Sequence, residues 1–225
     1  MFQMDLTNRA AAHLAKLKEL GFDVIATDDF AEVERLVKQT GKPLRSPMFD
    51  LRRNDFTQGK AFWIFLTRDG LVVGGLAAKL IELGEESFEA YMHRVSGGQF
   101  GLERPLKDVA APVNARLKGN LVYFGELYFA DEGRGKLRVL KEFGRLSVIL
   151  AAMTWPNFNW MYAMSRSEHR GMQQVFGFPM ITHYALRWND PKPYMHTDDQ
   201  VLWYMQKVDL LHLLTIDETN EAAKH

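Results

Sequence analysis

The chain has 225 residues, 47% hydrophobic and 25% charged, enough apolar side chain to bury one sizeable core in an ordinary globular domain. Lys+Arg and Asp+Glu both number 28, so no global field draws the chain to nucleic acid or an anionic membrane, and any anion binding must be local. Cysteine is absent, which excludes disulfides, thiolate metal sites and a cysteine acyl-enzyme.

Met1–Asp5 lacks the basic-then-apolar pattern of a secretory signal. The longest apolar stretch, around 146–155, falls well short of the ~20 residues a membrane span needs. The expectation is a soluble, cytoplasmic protein with no membrane or nucleic-acid partner. Ala11, Leu14 and Leu17 predict a helix over Thr7–Leu20, stopped by Gly21. A short strand follows at Phe22–Ala26, then a helix capped by Asp28 or Asp29 and running through Lys38. Residues 42–60 read as irregular and polar, with a solvated pair Arg52-Arg53 that could border a substrate mouth.

Ala61–Leu66 and Leu71–Leu83 flank Thr67-Arg68-Asp69-Gly70, and Asp-Gly between two apolar runs is a strong hairpin signal. Gly74-Gly75 in the second arm suggests a bulge or a close backbone approach. Residues 84–119 break the sheet pattern, with a helix expected near Glu85–Val95. A central strand, Leu121–Phe129, then runs through Ala130-Asp131-Glu132-Gly133-Arg134-Gly135-Lys136 into an amphipathic helix over Leu137–Trp155. Its inner face is Val139, Leu140, Phe143, Leu146, Ile149, Leu150 and Met153, while Arg138, Lys141, Glu142 and Arg145 face water. Further elements are a strand at Trp160–Ser165, a short helix at Glu168–Phe176, strands at Ile181–Trp188 and Val201–Lys207, and a helical tail from Asp209.

Strand, glycine turn and helix N-terminus together make an anion site. The first helical N–H groups lack intrahelical partners, glycines admit a phosphate closely, and Arg134 and Lys136 add charge. Glu126 lies on the strand beside that turn. Period-two alternation groups it with Phe124, Tyr128 and Ala130, and puts Gly125, Leu127 and Phe129 on the other face. A carboxylate set among aromatics would serve as a general base. Tyr162 and Tyr184 are candidate proton donors, and Ser165 and Arg166 candidate oxyanion or substrate contacts. The seven histidines show no ligand spacing, and the polar stretch His196-Thr197-Asp198-Asp199 reads as a loop, so no metal is expected.

The order of elements around this glycine turn resembles the GNAT acyltransferase superfamily from roughly Phe22 to Lys207. The family's phosphate loop usually reads Gln/Arg-x-x-Gly-x-Gly/Ala. Residues 130–135 keep both glycines and lose the first basic residue, for which Arg134 and Lys136 would substitute; read as the family's Arg-Gly-x-Gly-x-Gly variant, only Arg134-Gly135 fit. Gln173-Gln174-Val175-Phe176-Gly177-Phe178 is similar to the family's small helix ending in Gly-Phe, with Gln173 where a general-acid tyrosine often stands. Glu126 aligns with the strand glutamate that acts as base in some members. The extra segment before the central strand, together with Phe124-Gly125-Glu126-Leu127-Tyr128, resembles the branch of acyl-homoserine-lactone and N-acyl amino acid synthases.

The resemblance implies an α/β (α+β) fold, with a mixed, mostly antiparallel sheet and helices on both faces. It implies a helical extension over 1–21, a GNAT-like acyltransferase domain over 22–207 with an insertion near 84–119, and a C-terminal helix over 208–225. It further implies an N-acyltransferase using acyl-CoA or acetyl-CoA, or an acyl carrier protein, to acylate a small-molecule amine in a ternary complex. Phe129, Ala130, Gly133, Arg134, Gly135 and Lys136 would hold the donor, without a metal. The alternative is a GNAT-like module that binds or assembles without catalysis. Oligomeric state is open, a homodimer included.

Overall fold

A computed structural model describes residues 2–42, 46–54, 56, 59–130, 137–169, 171–194 and 196–222, with the side chains of 216–222 left out. The first half comprises α1 (Phe2–Glu19), β1 (Asp23–Thr27), α2 (Phe30–Gln39), a 3-10 turn (Pro47–Phe49), β2 (Ala61–Arg68), β3 (Leu71–Glu82), α3 (Phe88–Phe100), β4 (Leu106–Val109) and α4 (Ala111–Arg116). The second comprises β5 (Asn120–Phe129), α5 (Leu137–Thr154), β6 (Trp160–Ser165), α6 (Met172–Phe176), β7 (Met180–His183), β8 (Leu186–Trp188), β9 (Val201–Gln206) and α7 (Lys207–Ala222).

Seven strands form one sheet in the order β1-β2-β3-β5-β6-β9-β7. Its single parallel pair is β5 with β6; the other neighbours are antiparallel. The hairpin forms at Asp69 (φ 51°) and Gly70 (φ 79°), the two left-handed residues that such a tight turn requires. Because both faces of the sheet are covered, the central strands are nearly continuous apolar runs. Phe62, Ile64 and Leu66 of β2 enter one core with α1, α5, α6 and α7. Ala61, Trp63 and Phe65 enter the other with α2, the 3-10 turn, α3, α4 and the small β4–β8 sheet. The expected mixed, mostly antiparallel sheet with helices on both faces is therefore present.

Several boundaries differ from the sequence reading. The first helix starts at Phe2 rather than near Thr7, because Leu6 and Ala10 are buried and extend its packed stripe. The inserted helix is α3, displaced toward Phe100, since Ser87 rather than Glu85 caps it by accepting from the Ala90 N–H. Ile181–Trp188 is not one strand: Tyr184, at φ 52°, separates β7 in the large sheet from β8 in the small one. Glu142 does not face water. It is buried and pairs with His13 at 2.6 Å, because α1 lies along α5. Desolvation lowers the His13 pKa, against the raising pull of that carboxylate.

The 3-10 turn lies against β5. Phe49 is fully buried, stacked on Tyr123 with ring centroids 5.5 Å apart and surrounded by Phe56 and Trp63. A Cβ at Gly125 would lie 2.6 Å from the Phe49 ring and 3.2 Å from Tyr123 Oη. Gly125→Ala should therefore cost about 1–3 kcal/mol, as overpacking does, and lower the urea midpoint without changing the m-value. An unchanged midpoint would mean that the Phe49 ring moves aside freely.

Candidate active site

β5 and β6 pair from Leu121↔Trp160 to Phe124↔Ala163, and there the ladder stops. Each strand keeps its other neighbour: β5 stays on β3 as far as Gly74↔Phe129, and β6 stays on β9 as far as Ser165↔Val201. The two strands therefore diverge, and Gly125–Phe129 and Met164–Ser165 border a gap in the middle of the sheet. Residues 121–124 are buried, whereas 125–129 are half-exposed.

A β-bulge starts the divergence. Gly75 faces Tyr128 and Ala77 faces Gly125, so Glu126 and Leu127 together oppose Leu76. Glu126 takes φ 61°, a conformation that costs a non-glycine residue energy and so needs compensation. A bulge bends its strand and steepens its twist. The Gly74-Gly75 pair makes room: a Cβ at Gly74 would meet the Phe129 ring at 2.8 Å, and one at Gly75 the Phe65 ring at 3.0 Å.

The extra residue also corrects the expected faces of β5. Leu127 and Phe129 pack with Phe124 in the α5 core, so alternation shifts by one at Glu126. The Glu126 carboxylate turns instead to the Phe49 side, where its side chain is 5% exposed. Oε2 accepts from Lys42 Nζ at 2.7 Å and Oε1 from the Ser46 N–H at 2.6 Å. Glu126 thus sits in an ion pair rather than among aromatics alone.

The donor-binding candidates divide into two groups. Gly133, Arg134, Gly135 and Lys136 lie outside the described residues. Ala130 and Leu137, at either end of the segment 131–136, are described. The Ala130 N–H donates to Val73 O at 2.9 Å, so it is committed to β3. In an antiparallel ladder hydrogen-bonded pairs alternate with non-bonded ones. The N–H and C=O of Phe129 therefore point away from β3, toward the gap.

The other catalytic candidates are not brought together. Tyr162 is fully buried, edge-on to Phe88 and beside Tyr123, and its Oη has no hydrogen-bond partner among the described residues. Burial first, then Tyr91 and Tyr123, push its phenol well above the ordinary range. A proton donor for the gap must reach the gap, and this hydroxyl is walled off. Tyr184 is 66% exposed at the β7–β8 break, two strands beyond β6. Ser165 is at the gap, but its Oγ accepts from Trp203 Nε1 at 2.9 Å and donates to Arg166 O at 3.1 Å. Arg166 pairs with Glu168. Arg52 and Arg53 are exposed, as expected, and both also pair with Asp50, whose carboxyl the Arg52 guanidinium holds at about 2. Among the described residues no group of three or more His, Asp or Glu could hold a metal ion, and no helix is long and apolar enough to cross a membrane.

The sequence reading passes over both hydrogen-bond partners of Glu126 and one buried cation on β3. Lys42 and Ser46 are joined to it only by folding across 80 or more positions, and no local signal marks them. Lys79 was visible as a lone cation in the apolar run Leu76–Ile81. It is 4% exposed, donates to Met48 O at 2.9 Å, and lies 5.6–5.9 Å from the ring centres of Phe49, Phe56 and Tyr123.

No protein-family model matches the chain, and no curated protein matches it. Solved structures do. It is similar to NAA60 of Arabidopsis thaliana, solved in complex with acetyl-CoA, at 13% identity over 83% of this chain and 99% of that one, with a TM-score of 0.48. It is similar to FeeM, an N-acyl amino acid synthase from uncultured soil microbes, at 10% identity over 82% and 90% of the two chains, TM-score 0.44. It is also similar to Escherichia coli ElaA, at 8% identity over 82% and 99%, TM-score 0.44. Likeness at this level leaves the reaction to be argued from the chain's own residues.

Burial lowers Lys79 from its ordinary 10.5 to about 8. Between those values the unfolded chain holds a proton that the folded one has released, so stability should rise with pH from about 8 to 10.5 and be flat below. The rise should be on the order of 3 kcal/mol. In denaturant titrations across that range, Lys79→Met should abolish it. A rise that survives in the variant would assign it to another group.

Proposed function

We propose that the chain is an N-acyltransferase of GNAT-like fold, passing an acyl group from acyl-CoA to a small-molecule amine. The observation that carries this reading is the gap between β5 and β6, bordered by outward-facing backbone groups at Phe129 and by the Glu126 carboxylate. A pantetheine arm is a string of amides in an extended chain. It suits a strand edge that has lost its neighbour, much as an added β-strand would. The segment Gly133–Lys136, just ahead of α5 in sequence, would receive the pyrophosphate. The phosphopantetheine of an acyl carrier protein would present the same arm.

Glu126 then lies beside the incoming thioester. An acceptor ammonium taking the place of Lys42 would give its proton to the carboxylate, and the amine would attack the carbonyl. The C–S bond breaks and the thiolate leaves. With no cysteine in the chain, transfer is direct rather than through a thioester enzyme. A second reading, a module that binds the donor without catalysis, is favoured by one observation: Tyr162 is buried and Ser165 is already hydrogen-bonded, so neither of these two candidate hydroxyls is free to protonate the thiolate.

Thioester cleavage with a panel of amines separates the two. The acyl-transfer reading predicts amine-dependent turnover, and Glu126→Gln, which can still accept from the Ser46 N–H, should lower kcat about 10²-fold or more. Calorimetric affinity for coenzyme A should be little changed. Binding with no turnover for any amine supports the second reading, and full turnover by the variant across pH removes Glu126 from the mechanism.

A further inference from the structure

Glu126 already carries an amine. Lys42 Nζ is 2.7 Å from Oε2, with the two side chains only 18% and 5% exposed. The carboxylate is fixed from its other side by the Ser46 N–H at 2.6 Å. The lysine is also anchored at its backbone, because its N–H donates to Thr40 Oγ1 at 3.2 Å, just past the end of α2. Held at both ends, this ammonium stands where the acyl-transfer reading requires an acceptor amine.

We propose that Lys42 Nζ is itself an acyl acceptor, so that the chain acylates itself at this residue when an acyl thioester occupies the gap. The inference rests on the acyl-transfer reading. Glu126 takes one proton from the Nζ ammonium, and the exposed lone pair attacks the thioester carbonyl. An N–C amide bond forms as the C–S bond breaks; of the two protons the nitrogen gives up, one passes through Glu126 to the departing thiolate and the other is released to water, so the carboxylate is restored. Nothing is oxidised or reduced. The amide product is neutral, so the ion pair with Glu126 is lost and the carboxylate is opened to a free amine.

Other lysines are placed differently. Lys18, Lys60 and Lys192 pair with Asp23, Glu82 and Asp198 in exposed contacts that do not involve β5 or β6. Lys79 is sealed by three rings and donates to Met48 O.

The test is to incubate the full chain with acetyl-CoA and follow intact mass and peptide maps over time. Coenzyme A binding by calorimetry and acetyl transfer to free amines are measured in parallel. The expected result is one acetyl group per chain on Lys42, added about 10²-fold faster than to any other lysine, as proximity to a bound donor provides. Glu126→Gln should slow the labelling by a similar factor. Lys42→Arg, which keeps a cation against Glu126, should take no fast label. If coenzyme A binds and free amines are acylated while Lys42 stays unlabelled, or labels no faster than exposed lysines, the inference fails and the acyl-transfer reading stands. If coenzyme A does not bind, that reading fails and takes this inference with it.

Discussion

Everything at the candidate site depends on one residue too many in β5. The bulge at Glu126 turns the strand out of register, and from Phe124 onward β5 follows β3 while β6 follows β9. A sheet rarely leaves backbone hydrogen-bonding groups unpaired in its middle, because buried polar groups without partners are costly. Here the opening is supported by packing on both flanks. Leu127 and Phe129 remain anchored in the α5 core, and Phe49 fills the space that glycine leaves at position 125.

The positive φ at Glu126 is compensated by the interactions its side chain makes. Both carboxylate oxygens are bonded, one to the Lys42 ammonium and one to the Ser46 amide. Lys79 adds a second fastener from β3 to the same stretch, through Met48 O. Lys42, Ser46 and Met48 are therefore tied to β5 and β3 by three hydrogen bonds beside a largely aromatic core. Lys42 is thus held beside the site.

Much of the fold was legible from local patterns. The Asp69-Gly70 turn, the apolar runs of β2, β3 and β5, and the amphipathic α5 each carry their own signal, and Gly74-Gly75 announced the close approach that the structure contains. The place of Glu126 on the central strand is legible as well. Its orientation is not. Alternation assumes an unbroken ladder, and a bulge with a non-glycine residue at positive φ leaves no composition cue, so the pattern groups Phe124 with Glu126 although Phe124 packs with Leu127 and Phe129 on the opposite face. Lys42 and Ser46 meet Glu126 through tertiary folding alone. Tyr162 was chosen for its chemistry, yet strand period cannot tell a tyrosine lining a gap from one sealed beneath Phe88. Glu142 was read as exposed because its helix face is polar, and only the packing of α1 beside it accounts for its burial.

The account stands or falls on whether the unpaired edge of β5 receives a ligand. Amide hydrogen exchange at Phe129, measured with and without saturating coenzyme A, tests this directly. The account predicts that the Phe129 N–H gains protection when coenzyme A binds, with Ala130, already bonded to β3, little affected. Bound coenzyme A with exchange at Phe129 unaltered would contradict it.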